Sequence, residues 1–330
     1  MKRFKAKKLL HLLWIVPTLL ILSVGCLMYV VPAFENVDRT PVADSADWMA
    51  KLDDALPMSK IVLPGTHDSA TKNVQLAFFS KCQALDIGEQ LDAGFRYLDI
   101  RLGADGDRLK LMHGFTNCTT SGWPWAGALY LEDVLKPCYD FLMSHPTETV
   151  VFAVKQEHGS ETVEAFEKLL HAYIGKNPDQ WLLTDCIPTL GEARGKLVLM
   201  RRYADKAQLG TDSGISLLWD NQNGHDDVTL HTAMHDNGTY RLYVQDRYEY
   251  DTFDKWNAFT NGLAAGEAED DAVSIHFLST KGTATYGHPY QFAKALNPKL
   301  LDADRLSGWI IVDFASATIA DYIYMMNFNL

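Results

Sequence analysis

Strand-like and helix-like runs alternate along the chain from residue 60 onward, and no other feature constrains the fold as tightly. "KIVL" is followed by helix-like "DIGEQLDAG", which should end at Gly94. Strands "FRYLDIRL" and "DRLKLMHG" flank a turn from Ala104 to Asp107. The apolar spacing of "YLEDVLKPCYDFLMSH" predicts a helix kinked at Pro137 and stopped at His145-Pro146. Strand "TVVFAVKQ", helices "ETVEAFEKLLHAYI" and "TLGEAR", strand "KLVLMRRY" and, after a long loop, strand "RLYVQDRY" follow. Helix "DTFDKWNAFTNGLAAG", strands "VSIHFL" and "GWIIVDFA" and helix "ATIADYIYMMNF" complete the series. About eight strands interleaved with helices, with no obvious break, predict an α/β chain folded as a single (β/α) barrel. An open doubly wound sheet is the alternative.

The N-terminus is a separate object. Lys2, Arg3, Lys5, Lys7 and Lys8 precede an uncharged apolar run from Leu9 to Phe34. From Leu12 to Val31 a helix would reach roughly 30 Å, the thickness of a bilayer core. The basic flank would stay inside and everything after Phe34 would lie outside. Residues 1–34 are therefore expected to be an uncleaved membrane anchor, residues 35–47 a polar linker, and residues 48–330 the folded domain. A cleaved signal peptide, with Val31-Pro32-Ala33 as the cleavage site, is the competing reading and leads to secretion. Ser23 to Cys26 faintly suggests lipoprotein processing, but apolar residues continue past Cys26.

Without the five N-terminal cations the formal charge falls from −12 to −17. So acidic a domain is a poor nucleic-acid binder, and an anionic ligand must find a locally positive pocket. No cysteine spacing suggests zinc. Cys82, Cys118, Cys138 and Cys186 allow three disulfide pairings, among which the sequence does not choose. Neither a cofactor nor an obligate protein partner is indicated.

In a barrel, catalytic groups belong at the C-terminal ends of the strands. There the chain places His67 in "LPGTHDSAT", Asp99 and Arg101, His113, Lys155 and Glu157, Arg202, Asp246 and Tyr248, and Asp313. The i, i+2 spacing of Asp99 and Arg101 puts both on one face. Two histidines in one pocket can serve as base and acid near neutral pH. A buried Asp313 beside His67 would fix its tautomer, and Arg101 offers a forked permanent charge for a phosphate. Lys155, Glu157, Arg202 and Asp246 suit a polyhydroxylated ring, with Tyr248 against its apolar face. These parts match phosphodiester cleavage by a neighbouring hydroxyl. Arg201 and Arg202 are adjacent, and strand alternation lets only one face inward.

"LPGTHDSAT", "LDAGFRYLDIRL", "LMHG", "ETVVFAVKQE", "LGEARGKLVLMRRY", "YVQDRY" and "GWIIVDF" resemble, in order, bacterial phosphatidylinositol-specific phospholipase C. The resemblance runs from Trp48 to the C-terminus and implies an irregular TIM-like barrel. It implies that His67 is the general base on the inositol 2-hydroxyl, oriented by Asp313. His113, supported by Asp68, would be the acid that protonates the diacylglycerol oxygen. Arg101 would stabilise the phosphoryl charge with Asp99 in the same network, while Lys155, Glu157, Arg202, Asp246 and Tyr248 match inositol-binding positions. The implied substrate is phosphatidylinositol at a membrane surface, free or glycosylated, and the products are diacylglycerol and inositol 1,2-cyclic phosphate. The loops "NCTTSGWPWAGALY" and "STKGTATYGHPY" are particular to this chain and make Trp123, Trp125 and Tyr286 candidates for interfacial insertion. Two rivals stand beside this reading. A metal-dependent glycerophosphodiester phosphodiesterase would need a carboxylate where Arg101 stands. A catalytically inactive inositide-binding surface protein would be expected to have lost a histidine.

Overall fold

The computed structural model describes residues 2–26, 35–123, 125–207, 209, 213–222, 233–236, 240–267, 272–284 and 287–328. Its strands are β1 (Leu63–Thr66), β2 (Tyr97–Asp105), β3 (Arg108–His113), β4 (Thr116–Asn117), β5 (Val150–Gln156) and β6 (Trp181–Leu182). They continue with β7 (Leu197–Arg201), β8 (Ile215–Ser216), β9 (Ala233–Asp236), β10 (Arg241–Gln245), β11 (Ala272–Phe277) and β12 (Trp309–Val312). The helices are α1 (Lys2–Gly25), α2 (Ala77–Ser80), α3 (Ile87–Asp92), α4 (Leu131–Ser144) and α5 (Val163–Ile174). Four more follow, α6 (Leu190–Ala193), α7 (Thr252–Glu267), α8 (Pro289–Leu301) and α9 (Ala317–Met325).

The sheet runs β6-β7-β5-β2-β1-β12-β11-β10-β9, parallel throughout except for the β10–β9 pair. It is a curled half-barrel of eight parallel strands, and among the described residues no ladder joins its two edges. The expected barrel is thus present in an open, irregular form. β3 corrects the strand count, because it returns antiparallel on β2 with Leu102 opposite Leu111 and is not a barrel strand. β1 begins at Leu63 and not at Lys60, since pairing with β12 and β2 sets its limits. Gly65 is what lets those neighbours close in. A Cβ there would meet Ile311 Cδ1 at 2.4 Å and Tyr97 Cβ at 2.8 Å.

Period-two alternation divides the core. Leu63, Tyr97, Val151, Ala153, Val198, Met200, Val244, Ile275 and Ile311 fill the inside of the half-barrel. Leu98, Ile100, Phe152, Val154 and Leu199 face outward beneath α4 and α5. α3 starts at a capping box between Asp86 and Glu89, the stop-and-start chemistry its sequence advertises. Gly94 ends that helical segment at φ 107, as its lack of a Cβ permits. Arg96 then lies fully buried against Glu148 at 2.9 Å and donates to the carbonyls of Leu91, Phe95, Ser45 and Ala46. That one guanidinium ties the N-terminal residues of the domain to the entry of β2 and β5.

Within the described residues, α1 does not support the anchor reading. The apolar part of α1 from Leu9 to Gly25 extends about 25 Å, short of a ~30 Å hydrocarbon core. Among the described residues, no helix is long and apolar enough to cross a membrane. Residues 27–34, with Val31-Pro32-Ala33 and the end of the expected span, lie outside the described residues. The cysteines are free thiols, with Cys82, Cys118 and Cys138 buried and Cys26 and Cys186 exposed.

Candidate active site

The alternation that fills the core also delivers the polar residues. On β2 the inner face reads Tyr97, Asp99, Arg101; on β5 it reads Val151, Ala153, Lys155 and then Glu157. Val198 and Met200 are followed inward by Arg202, Val244 by Asp246 and Ile311 by Asp313. Arg201 faces the other way and donates to the carbonyls of Gly214 and Tyr203. Of the adjacent arginines, Arg202 is therefore the one in the site. The inner residues surround a cavity of ≈ 860 Å³ lined by His67, Arg101, His113, Lys155, Arg202 and Tyr248 among others.

His67 Nδ1 is 2.8 Å from Asp313 Oδ1, which fixes that nitrogen as the donor and leaves Nε2 as the acceptor. Nε2 receives Arg101 Nη2 at 2.8 Å and lies 3.3 Å from Asp68 Oδ2. Burial pushes the imidazole down, but Asp313 and Asp68 together outweigh it and raise its proton affinity. Arg101 is the hub. Its Nε is 3.0 Å from Asp99 Oδ2 and 3.1 Å from Asp68 Oδ1, and its Nη1 donates to Glu157 Oε1 at 3.2 Å. Burial opposes its charge, yet these carboxylates hold its pKa well above the ordinary value. Asp99 in turn accepts from Arg202 at 3.1 Å. Burial would raise the Asp99 pKa, but the two guanidiniums hold the carboxyl far below its usual range. Glu157 is likewise depressed, by Arg101 and by Lys155 at 2.6 Å, against the pull of burial.

His113 comes from the antiparallel β3 and stands across the cavity, its ring centroid 6.4 Å from that of His67. Its Nδ1 is 2.7 Å from the Ser80 carbonyl and 3.6 Å from Asp68 Oδ2, so Ser80 is the nearer acceptor. Asp68 lies between the two histidines at φ 44, a left-handed conformation that an aspartate tolerates. Phe314, next to Asp313, has φ 48. Strained backbone of this kind persists where the surroundings over-determine it, as they do at functional sites.

Residues 56–203 match the family model "Phosphatidylinositol-specific phospholipase C, X domain". The 1-phosphatidylinositol phosphodiesterase of Staphylococcus aureus strain Newman is 31% identical over 316 residues, spanning 88% of this chain and 93% of that protein. The chain belongs to the bacterial phosphatidylinositol-specific phospholipase C family. A Listeria monocytogenes 1-phosphatidylinositol phosphodiesterase is 27% identical over 86% of this chain and 85% of its own length. A solved phosphatidylinositol-specific phospholipase C variant from Staphylococcus aureus superposes with TM-score 0.70 at 26% identity, covering 85% of this chain and 97% of that one.

This phospholipase C family member gathers His67, Asp68, Asp99, Arg101, His113, Lys155, Glu157, Arg202, Asp246 and Asp313 into one network, and Tyr248 lines the same cavity. Tyr248 Oη donates to Asn221 at 2.9 Å. Trp123 and Trp125 are 64% and 79% exposed and stack at 5.4 Å in the loop after β4. Tyr286 lies outside the described residues. The sequence reading missed Trp219, whose ring lies 4.0 Å from the Arg202 guanidinium and whose Nε1 donates to Asp246. It also missed Asn221, Cys82 and the Ser80 carbonyl. "GISLLWDN" was legible as a short strand with a polar end, but it stood inside what reads as a long loop.

Proposed function

We propose that this chain is a phosphatidylinositol-specific phospholipase C that forms a cyclic inositol phosphate. His67 Nε2 takes the proton of the inositol 2-hydroxyl as its oxygen bonds to phosphorus. The bond from phosphorus to the diacylglycerol oxygen breaks, and His113 Nε2–H gives that oxygen its proton. Diacylglycerol and inositol 1,2-cyclic phosphate leave, and water opens the ring slowly by the reverse use of the same pair. One observation carries this reading: the Asp313–His67–Arg101 chain, with His113 on the far side of one cavity.

In the free site Arg101 occupies the lone pair that the base needs. A phosphate on the guanidinium draws Arg101 away from Nε2, so substrate binding itself uncovers the base. Asp99 and Glu157 stay ionised and aim Arg101; Lys155, Arg202, Asp246 and Tyr248 hold the ring. The charge at phosphorus comes from Arg101, a donor of the preorganised kind whose removal costs about 2.7–4 kcal/mol in the transition state. His67, Asp68 and Cys82 have donor atoms close enough together to hold a cation, which is the rival solution. Arg101 3.1 Å from Asp68 already fills that electrostatic role. The name shared by the Staphylococcus and Listeria relatives supports the substrate class, and the basic-apolar N-terminus supports a location on or outside the cell surface.

Phosphorus NMR of products from phosphatidylinositol vesicles tests the proposal. A cyclic phosphodiester signal that persists in excess EDTA is the expected result. Inositol 1-phosphate as the first product would mean direct attack by water, and loss of activity in chelator restored by a divalent cation would favour the metal reading. Lipid binding without turnover would leave an inositide-binding protein.

A further inference from the structure

The stretch from Ser80 to Ala84, between α2 and α3, is fastened from two sides. On the cavity side the Ser80 carbonyl accepts from His113 Nδ1 at 2.7 Å. Gln83 Nε2 donates to the His67 carbonyl at 2.7 Å and to the Val312 carbonyl at 2.9 Å. On the opposite side runs a strap, residues 35–39, which follows the apolar N-terminal segment in the chain. Glu35 Oε2 is 2.6 Å from Lys81 Nζ, and the Glu35 side chain is only 4% exposed. Arg39 donates to the Ala84 carbonyl at 3.0 Å, and Asp38 accepts from the backbone N–H of Ala317 at 3.0 Å. The strap therefore rests on the body of the domain while it grips the segment that carries Ser80.

α2 is one turn of four residues, entered through Leu76 at φ 51, and Lys81 is the extended residue that ends it. So short a helix does little by itself to fix the direction of its last carbonyl. The side chain of Lys81, held in a buried pair, supplies that restraint. Burial pushes the Glu35 carboxyl up, and Lys81 beside it counters that push, so the carboxylate is tied to its partner.

We propose that the strap, through the Glu35–Lys81 pair, is a positioning element for His113. It aims the Ser80 carbonyl, which keeps Nδ1 as a donor and turns Nε2 into the cavity. The inference rests on the reading of His113 as the acid, and its test separates the two. Two soluble inositol 1-phosphodiesters are compared, one leaving as an alkyl alcohol and one as 4-nitrophenol, so that membrane contact plays no part. An alkoxide needs a proton to depart, whereas a nitrophenolate does not.

Glu35→Gln, Lys81→Met and the double variant are expected to lower kcat on the alkyl ester about tenfold, ~1.4 kcal/mol. KM and turnover of the nitrophenyl ester should stay within about twofold of the unaltered enzyme. Lys81→Arg, which keeps the pair, should retain activity on both esters. The double variant leaves no unpaired buried charge, so it remains informative if the single ones fold poorly. His113→Ala is the reference. If it slows both esters equally, the acid assignment fails. If His113→Ala discriminates between the esters and the folded double variant does not, the strap has no positioning role.

Discussion

Burial by itself would push His67 toward its neutral form, yet Asp313 and Asp68 leave its proton affinity above the ordinary 6.5 of an imidazole. The base must be neutral to act, so kcat/KM should decline as pH falls through a value above 6.5. Asp313→Asn removes the larger of the two raising influences and leaves burial and the Arg101 charge, both of which lower it. The acid limb of the pH–rate profile should then move to lower pH. The plateau should drop roughly 100-fold or more, because an amide no longer fixes Nδ1 as the donor. A limb that stays in place in Asp313→Asn would remove His67 from the role of base. At this scale polar residues work in sets, since the charge on Arg101 is held by Asp68, Asp99 and Glu157, and those of Asp99 and Glu157 by it.

At the scale of elements, the half-barrel separates two kinds of work. β2, β5, β7, β10 and β12 hold their terminal side chains in register through parallel ladders. The loop after β4 is held by Thr119–Ala128 pairing at its base, and it presents the stacked Trp123 and Trp125 to solvent. Rings so exposed contribute little to folding, but each would gain on entering a lipid interface. Trp123→Ala with Trp125→Ala is expected to weaken binding to phosphatidylinositol vesicles at least tenfold in a sedimentation assay. Hydrolysis of a soluble inositol phosphodiester and the thermal midpoint should hardly change. Unaltered vesicle binding would assign the pair to another surface role.

At the scale of the whole molecule, stability carries the mark of one buried cation. Lys255 is fully buried on α7, with its Nζ 2.8 Å from Gln245 Oε1 and 2.8 Å from the Arg247 carbonyl. Burial lowers its pKa from 10.5 to about 7, with Asp246 and Asp313 acting in the other direction. Between pH 7 and 10.5 the unfolded chain binds a proton at this position that the folded chain does not, so folding gains stability as pH rises through that window. The cost of burying the lysine is complete below 7 and gone above 10.5. Lys255→Met should remove this contribution. The difference in unfolding free energy between variant and parent should change by about 1.4 kcal/mol per pH unit across the window, as read by denaturant titration. A difference independent of pH would mean that Lys255 is charged in the fold.

Local patterning was enough to determine the fold class and most strands, because period-two alternation and helix stop signals act over a few residues. The same alternation puts Asp99 beside Arg101 and Lys155 beside Glu157 on one face without help from any tertiary contact. Seven short motifs in order sufficed for the family. What adjacency in the chain does not contain had to come from the folded molecule. The choice of Arg202 over Arg201 depended on which face of β7 looks inward, and the opening of the barrel on which edges find partners. β3 reads as an ordinary strand, and only its antiparallel pairing with β2 shows how His113 reaches the cavity. Trp219, Cys82 and the Ser80 carbonyl enter the site from loops and the one-turn α2, whose course is set by contacts dozens to hundreds of residues away. The grip of Glu35 on Lys81, with the chain from Asn36 to Ser80 lying between them, is legible only once the half-barrel has brought the strap and α2 together.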